Sequence, residues 1–294
     1  YDYWMWNSWA ESNAAAVVER TALHAFDIAS FPGAAVYRAS GFVQGRVLNQ
    51  FSLSEYAGYF RVATTWRNWM TGDPAENGIF VLQPQGDALV VVGSAEIPEA
   101  SGEEIYAARF FGDKGYVVTY ERTDPLFTFD LSDPTHPVRV GLLEIPGFSS
   151  YIHPLGEGFL LTIGRMTDDR GEWVEMGGVK LAVYDVRDFA NPTEAQSLVI
   201  GGGETHSEAA YEHRAFNYFA PLQALAIPIG SYYWGFGADA ETAPENGLSV
   251  FHVDTADGFS HFGTVSHMDF VTLPEDLPDG YTCYGYVPEV RRSV

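Results

Sequence analysis

A single cysteine, Cys283, stands among 294 residues. That excludes an internal disulfide and any multi-cysteine zinc knuckle within the chain. Basic residues are also scarce: 16 Lys and Arg oppose 39 Asp and Glu, for a formal net charge of -23. A surface of that sign repels a phosphate backbone, so DNA and RNA are not expected partners. It suits solubility in salt, a divalent cation or a basic partner. No run approaches the roughly 18 apolar residues that a membrane-spanning helix needs. The opening YDYWMWNSWAESN has no basic stretch followed by an apolar one, so no signal peptide is visible in it. Helical periodicity is nearly missing as well, with only Glu11 to Glu19 composed like a short helix.

What remains is strand. Apolar residues make up 46% and aromatic residues 15%, enough for a core, and 30 Gly with 16 Pro supply turns. Tyr59 to Thr65, Gly78 to Leu82 and Ala88 to Val92 are strand-like runs separated by Asn, Asp and Gly, the pattern of an antiparallel meander. The order returns three times. The second unit runs through Ile105 to Phe111, Gly115 to Tyr120, Leu126 to Asp130 and Val138 to Ile145. The third runs through Ser150 to His153, Phe159 to Ile163, Val179 to Asp185 and Ala195 to Ile200. The fourth runs through Ala209 to Phe216, Ala224 to Pro228, Leu248 to Val253 and Ser260 to Val265.

Four short strands recurring about every fifty residues predict an all-β chain, a β-propeller of four-stranded antiparallel blades. Two packed β-sandwiches are the structural alternative. Thr21 to Asp27 and Ala34 to Phe42 read as the outer two strands of an earlier blade, and Tyr286 to Val294 as the innermost strand of a later one. The domain reading is therefore an aromatic-rich extension over residues 1–20 and a propeller domain over residues 21–294 that forms part of a larger ring.

The stretches GFVQGRVLNQFSLSEYAGYFRVATT, GEEIYAARFFGDKGYVVTYERTDPLFTFDLSDPTHP, LEIPGFSSYIHPLGEGFLLTIGR and SEAAYEHRAFNYF, with the terminal RRSV, resemble a family of secreted bacterial and archaeal beta-propeller domain proteins distantly related to WD40 repeats. The resemblance runs from about Thr21 to Val294. It implies the fold and a secreted or cell-surface location, and it brings no established reaction. The Trp66-Arg-Asn-Trp69 segment and the Trp4, Trp6 and Trp9 cluster depart from the family pattern.

Several residues invite a functional reading. Asp130 and Asp133, and likewise Asp185 and Asp188, follow the third strand of a unit, where an Asp accepts backbone N–H bonds and caps the turn. The acidity leaves calcium open as a ligand, but two acids do not supply the roughly six or more oxygens it needs and no calcium loop motif is present. No cofactor is expected. Glu55, Arg109 and His153 each precede a turn glycine by three residues, His213 lies at a corresponding place, and Arg292 continues the series. These five are candidates for a polar ring around an axial channel. Three of them, Glu55, His153 and His213, could ligate zinc in principle, but they sit on different units without a short metal-binding spacing. Nucleophile elbow, phosphate loop and dinucleotide motifs are all missing. The tryptophans fall in connections, so Trp4, Trp6, Trp9, Trp66 and Trp69 are candidates for surface recognition of sugar or protein. The sequence thus points to a non-catalytic secreted or cell-surface scaffold that binds an envelope protein or carbohydrate. The alternative is a metal-dependent hydrolase with its site at the axial channel.

Overall fold

The computed structural model describes residues 19–30, 33–68, 71–120, 124–156, 158–171, 173–231, 246–267 and 290–291. The expected helix over Glu11 to Glu19, the single cysteine and the Tyr286 to Val294 strand fall almost wholly outside them. Among the described residues regular structure is strand, with a few three-residue 3-10 turns, and no helix is long and apolar enough to cross a membrane. Contacts group the chain into two compact units, Tyr1–Glu144 with Phe189–Asn191, and Ile145–Asp188 with Pro192–Val294.

The first unit opens with an antiparallel hairpin, β1 (Arg20–Asp27) and β2 (Val36–Gln44). A meander follows: β3 (Leu53–Tyr56), β4 (Tyr59–Trp66), β5 (Glu76–Gln85) and β6 (Ala88–Glu96). The hairpin joins this sheet through one parallel bridge, Ser40 to Ala88. A second meander contains β7 (Glu104–Phe111), β8 (Lys114–Tyr120), β9 (Asp124–Asp130) and β10 (Val138–Ile145).

The faces of these sheets make the core. Val62 and Ala63 are adjacent on β4 and both fully buried, because alternate side chains point to opposite faces and each face is covered. Val62 packs with Leu82 and Leu89 against Ala25, Ala39 and Val43 of the hairpin. Ala63 packs with Ile79 against Ala108, Phe110, Val117 and Phe129 of the next sheet. Two covered faces explain why second strands such as VATT and YVVT read as unbroken apolar or branched runs, where a half-buried strand would alternate. At Gly41 of β2 an added Cβ would lie 2.2 Å from the Leu89 carbonyl oxygen, so glycine lets the hairpin approach β6.

The second unit repeats the plan. Its first sheet contains β11 (Phe148–Gly156), β12 (Phe159–Asp169), β13 (Val174–Asp185) and β14 (Thr193–Ile200). Its second contains β15 (Thr205–His206), β16 (Asn217–Phe219), β17 (Ala224–Ser231), β18 (Gly247–Asp254) and β19 (Gly258–Ser266). Leu161, Ile163, Leu181 and Val183 pack against Leu225, Ile227, Phe251 and Val253 between them. The fourth sheet departs from expectation at its inner edge. Ala209 to Phe216 is not a strand; two 3-10 turns, Glu208–Ala210 and His213–Ala215, occupy it, flanked by the short β15 and β16. Ser207 and Glu212 cap these turns by accepting from Ala209 N and Arg214 N, an option that polar side chains give the backbone in place of a ladder.

Third strands end in a recurrent cap. Asp130 Oδ1 accepts from Ser132 N at 2.9 Å, Asp185 Oδ1 from Arg187 N at 3.0 Å, and Asp254 Oδ1 from Ala256 N at 2.7 Å. Hydrogen bonds from Ser132, from Arg187 and from the Asp257 and Ala256 amides hold the three carboxyls below the usual carboxylate range. Depressed folded-state values stabilise the fold above the unfolded-state pKa of about 4, and that contribution is lost as pH falls through the folded values. Asn keeps the acceptor but does not titrate. The triple variant Asp130→Asn, Asp185→Asn and Asp254→Asn should therefore lose less stability than the parent between about pH 5 and pH 2 in denaturant titrations; identical acid limbs would contradict this.

Candidate functional site

Three inner hairpins carry a glycine in the left-handed region at or beside the turn, Gly58 at φ 82° and Gly112 at 53° within it and Gly156 at 84° at the end of β11. The ladder shows that counting three residues back from each glycine does not reach one register. Arg109 pairs with Tyr116 and His153 with Leu161, each the third pair from its turn. Glu55 pairs with Phe60, the second pair, because Ala57 and Gly58 form the turn and the glycine comes second in it. A one-residue slip moves a side chain to the other face of the sheet. Glu55 therefore shares the face of Leu53, Phe60 and Val62 that meets the hairpin, and the residue in the Arg109 register is Ser54, paired with Arg61.

In the first unit, the Arg109 guanidinium lies 4.0 Å from the centroid of Phe51 and 5.6 Å from that of Phe111. This is a cation–π arrangement. Across the ladder, burial pushes the Tyr116 phenol up to about 12. In the second unit, the His153 ring packs against Phe216 at 5.5 Å and Tyr218 at 5.3 Å, with Tyr151 beside it at 6.5 Å. His213 lies in its 3-10 turn, with Nδ1 3.2 Å from Glu212 Oε1. Arg292 lies outside the described residues. Of these candidates, Arg109 and His153 pack against aromatic rings. Among the described residues no group of three or more His, Cys, Asp or Glu is arranged to hold a metal ion.

Trp66 is corrected from a surface candidate to a core residue. It is 5% exposed, packs 5.8 Å from Phe80, and donates from Nε1 to Glu76 Oε2 at 2.6 Å. Its ring covers Gly78, where an added Cβ would lie 3.1 Å from the indole. The last residue of β4 remains inside the sheet because Trp66 pairs with Glu76 at the end of the β4 and β5 ladder. Trp4, Trp6, Trp9 and Trp69 lie outside the described residues. Exposed apolar groups do occur at connections of the second unit: Trp173 between β12 and β13, Tyr211 between β15 and β16, and Leu222 between β16 and β17.

Two features had no clear sequence signal. Arg61 is 4% exposed on β4, with Nη2 donating to Ser54 Oγ at 2.6 Å and Nη1 to the Gly112 carbonyl. Its guanidinium sits 5.1 Å and 5.2 Å from the Tyr56 and Phe110 ring centroids, and burial lowers its pKa. It fastens the inner edge of one sheet to the turn of the next. The other feature is a cleft of about 280 Å³ between β1 and the β3–β4 face, lined chiefly by Leu23, Ala25, Leu53, Phe60, Val62 and Leu89. Its walls come from residues far apart in sequence.

A family model described as "Beta propeller domain" matches residues 3–294. The chain belongs to the beta propeller domain family. An uncharacterized protein of Methanocaldococcus jannaschii is 44% identical over 197 residues, 67% of this chain and 29% of its own length. An uncharacterized protein of Archaeoglobus fulgidus is 42% identical over 188 residues, 64% of this chain and 27% of its own. The match thus spans less than a third of the length of these relatives. A crystal structure of a protein from Lactobacillus plantarum is 15% identical, with 85% of this chain and 83% of that one aligned at a TM-score of 0.37, too slight a likeness to bear on function.

For this propeller chain, the Trp66 assignment has a direct test. Trp66→Ala should cost about 3–5 kcal/mol in equilibrium unfolding through the cavity it leaves. Trp66→Phe should cost about 1–2 kcal/mol by leaving the Glu76 carboxylate without the indole N–H. An alanine variant as stable as the parent would return Trp66 to the surface.

Proposed function

We propose that this chain is a non-catalytic β-propeller scaffold that binds a protein or carbohydrate ligand through the connections between its strands. In this reading residues 21–294 act as one propeller domain of a larger ring, secreted or on the cell surface, and the ligand belongs to the cell envelope. The supporting observation is the contrast between frame and connections in the second unit. Its sheets close on a buried apolar core, while Trp173 is 60% and Tyr211 73% exposed on the connections. Large aromatic rings held out by a rigid frame give stacking area for a sugar face or an apolar anchor at little entropic cost.

The reading predicts a separation of binding from stability. Trp173→Ala and Tyr211→Ala should leave the melting temperature within about 2 °C, since exposed substitutions rarely matter to folding. On an array of envelope glycans and on immobilised envelope protein extract, the double variant should lose at least about tenfold in affinity for whatever the parent captures. Capture unchanged by both substitutions, or no capture by the parent, would contradict the proposal. Turnover of a captured glycan or peptide by the parent would favour a hydrolase.

A further inference from the structure

The inner edge of the fourth sheet breaks beside a polar recess. β15 ends at His206 and β16 begins at Asn217, so the inner ladder of β17 is interrupted across Ile227, Pro228 and Ile229. Pro228 has no N–H to offer a ladder, and its carbonyl accepts from Ser207 Oγ at 2.6 Å instead. Next to the break lies a recess of about 40 Å³, lined chiefly by His206, Glu208, Pro228, Ile229, Gly230 and Asn246. His206 and Glu208 flank Ser207, whose extended backbone (φ -137°, ψ 132°) sends both side chains to the same side.

The first unit shows how the same place is closed by hydrogen bonds. Asn77 and Asn246 each stand at the entry to a third strand, ahead of a glycine, and each carbonyl accepts from the residue after the fourth strand, Ile97 N at 2.9 Å and His267 N at 2.8 Å. The Asn77 side chain is fully engaged: Oδ1 accepts from Thr65 Oγ1 at 2.6 Å, and Nδ2 donates to the carbonyls of Ala100 and Glu103, each at 3.0 Å. Beside Asn246 the neighbouring strand offers Gly230 where β4 offers Thr65. His206, the ladder partner of Gly230, brings its ring to that space. An added Cβ on Gly230 would lie 2.5 Å from Asn246 Oδ1 and 3.0 Å from His206 Nε2, so the two atoms face each other across the room that glycine leaves. Asn246 is 7% exposed, and among the described residues its carboxamide has no hydrogen-bond partner. A buried amide needs one.

We propose that His206, Glu208 and Asn246 hold a single divalent transition-metal ion of the zinc class, which ties the broken inner edge of this sheet to its third strand. The ion does at Asn246 what Thr65 and two carbonyls do at Asn77. An imidazole nitrogen with a carboxylate oxygen and a carboxamide oxygen is a donor set for Zn²⁺ or a neighbouring first-row ion. It is too small and too nitrogenous for Ca²⁺, which takes about six or more oxygens. Because the third donor is a carboxamide, the set is consistent with the absence, among the described residues, of a group of three or more His, Cys, Asp or Glu. The recess has room for an ion and one bound water, which fills about 30 Å³ in the liquid, and none for a sugar ring.

The test strips the untagged whole chain with a chelator and titrates it by calorimetry with ZnCl2 and, in parallel, with CaCl2. One equivalent of Zn²⁺ should bind and raise the melting temperature, and Ca²⁺ should do neither. His206→Ala and Glu208→Gln should each weaken Zn²⁺ binding at least about tenfold, a loss seen even for groups one step removed from a metal. Asn246→Asp keeps the shape of the side chain and adds a negative charge, so it should tighten binding at least about threefold. His136→Ala, at an exposed histidine beside Asp133, should change nothing. No binding by the parent, or Ca²⁺ bound as tightly as Zn²⁺, would overturn the proposal. So would binding that survives both recess substitutions or is lost with His136, which would mark an adventitious ion only. If His206→Ala does not fold, Asn246→Asp decides, and unchanged or weaker binding there counts against the site.

Discussion

Burial of the middle strands on both faces is the constraint from which the rest of the structure follows. A twisted four-stranded meander has two apolar faces and no helix to cover them, so it is stable only between neighbours of its own kind. Val62 and Ala63 illustrate the condition at its smallest scale, as consecutive residues both shut away from water on opposite sides of β4. The outer strands escape it. β14 and β19 keep more than half-exposed apolar residues such as Phe262 and Val265, or nearly so at Val199, where the second strands keep none of comparable exposure.

The same constraint decides what polar residues do. A charged or ring-bearing side chain on an inner strand must find partners within the stack, and the partners here include aromatic rings: Phe51 for Arg109, Phe110 and Tyr56 for Arg61, Phe216 and Tyr218 for His153. Cation–π and ring packing of this kind locks neighbouring elements together. The carboxylates, by contrast, are used at the ends of third strands, where backbone amides meet them in the turn. Polar chemistry is thereby divided between seams and turns, and the connections are left to carry exposed rings.

Strand existence was legible because alternation and turn residues are local signals: Ile105 to Phe111 and Val138 to Ile145 fall within one residue of β7 and β10. The capping role of Asp130 and Asp185 was legible for the same reason, being a bond between a side chain and an amide two residues on. Register was not. Glu55 and Arg109 both precede a glycine by three, but one glycine comes second in its turn and the other first, and that single residue sends the side chains to opposite faces. Trp66 reads as part of a connection because the strand-like run is bounded at Thr65, whereas the ladder extends one residue further, to the Trp66 and Glu76 pair. Arg61 was missed because its surroundings, Gly112 and Phe110, lie about fifty residues away.

The central claim is that sheets stack face to face and hold one another's middle strands. Ile79 of β5 and Phe110 of β7 meet at this seam, both with side-chain carbons within 3.4 Å of where a Cβ on Gly115 would lie. A double-mutant cycle with Ile79→Ala and Phe110→Leu, measured by equilibrium unfolding, tests the contact directly. Stacked sheets predict a coupling of about 1 kcal/mol or more between the two positions. Effects that add to within about 0.3 kcal/mol would show independent sheets and contradict the account.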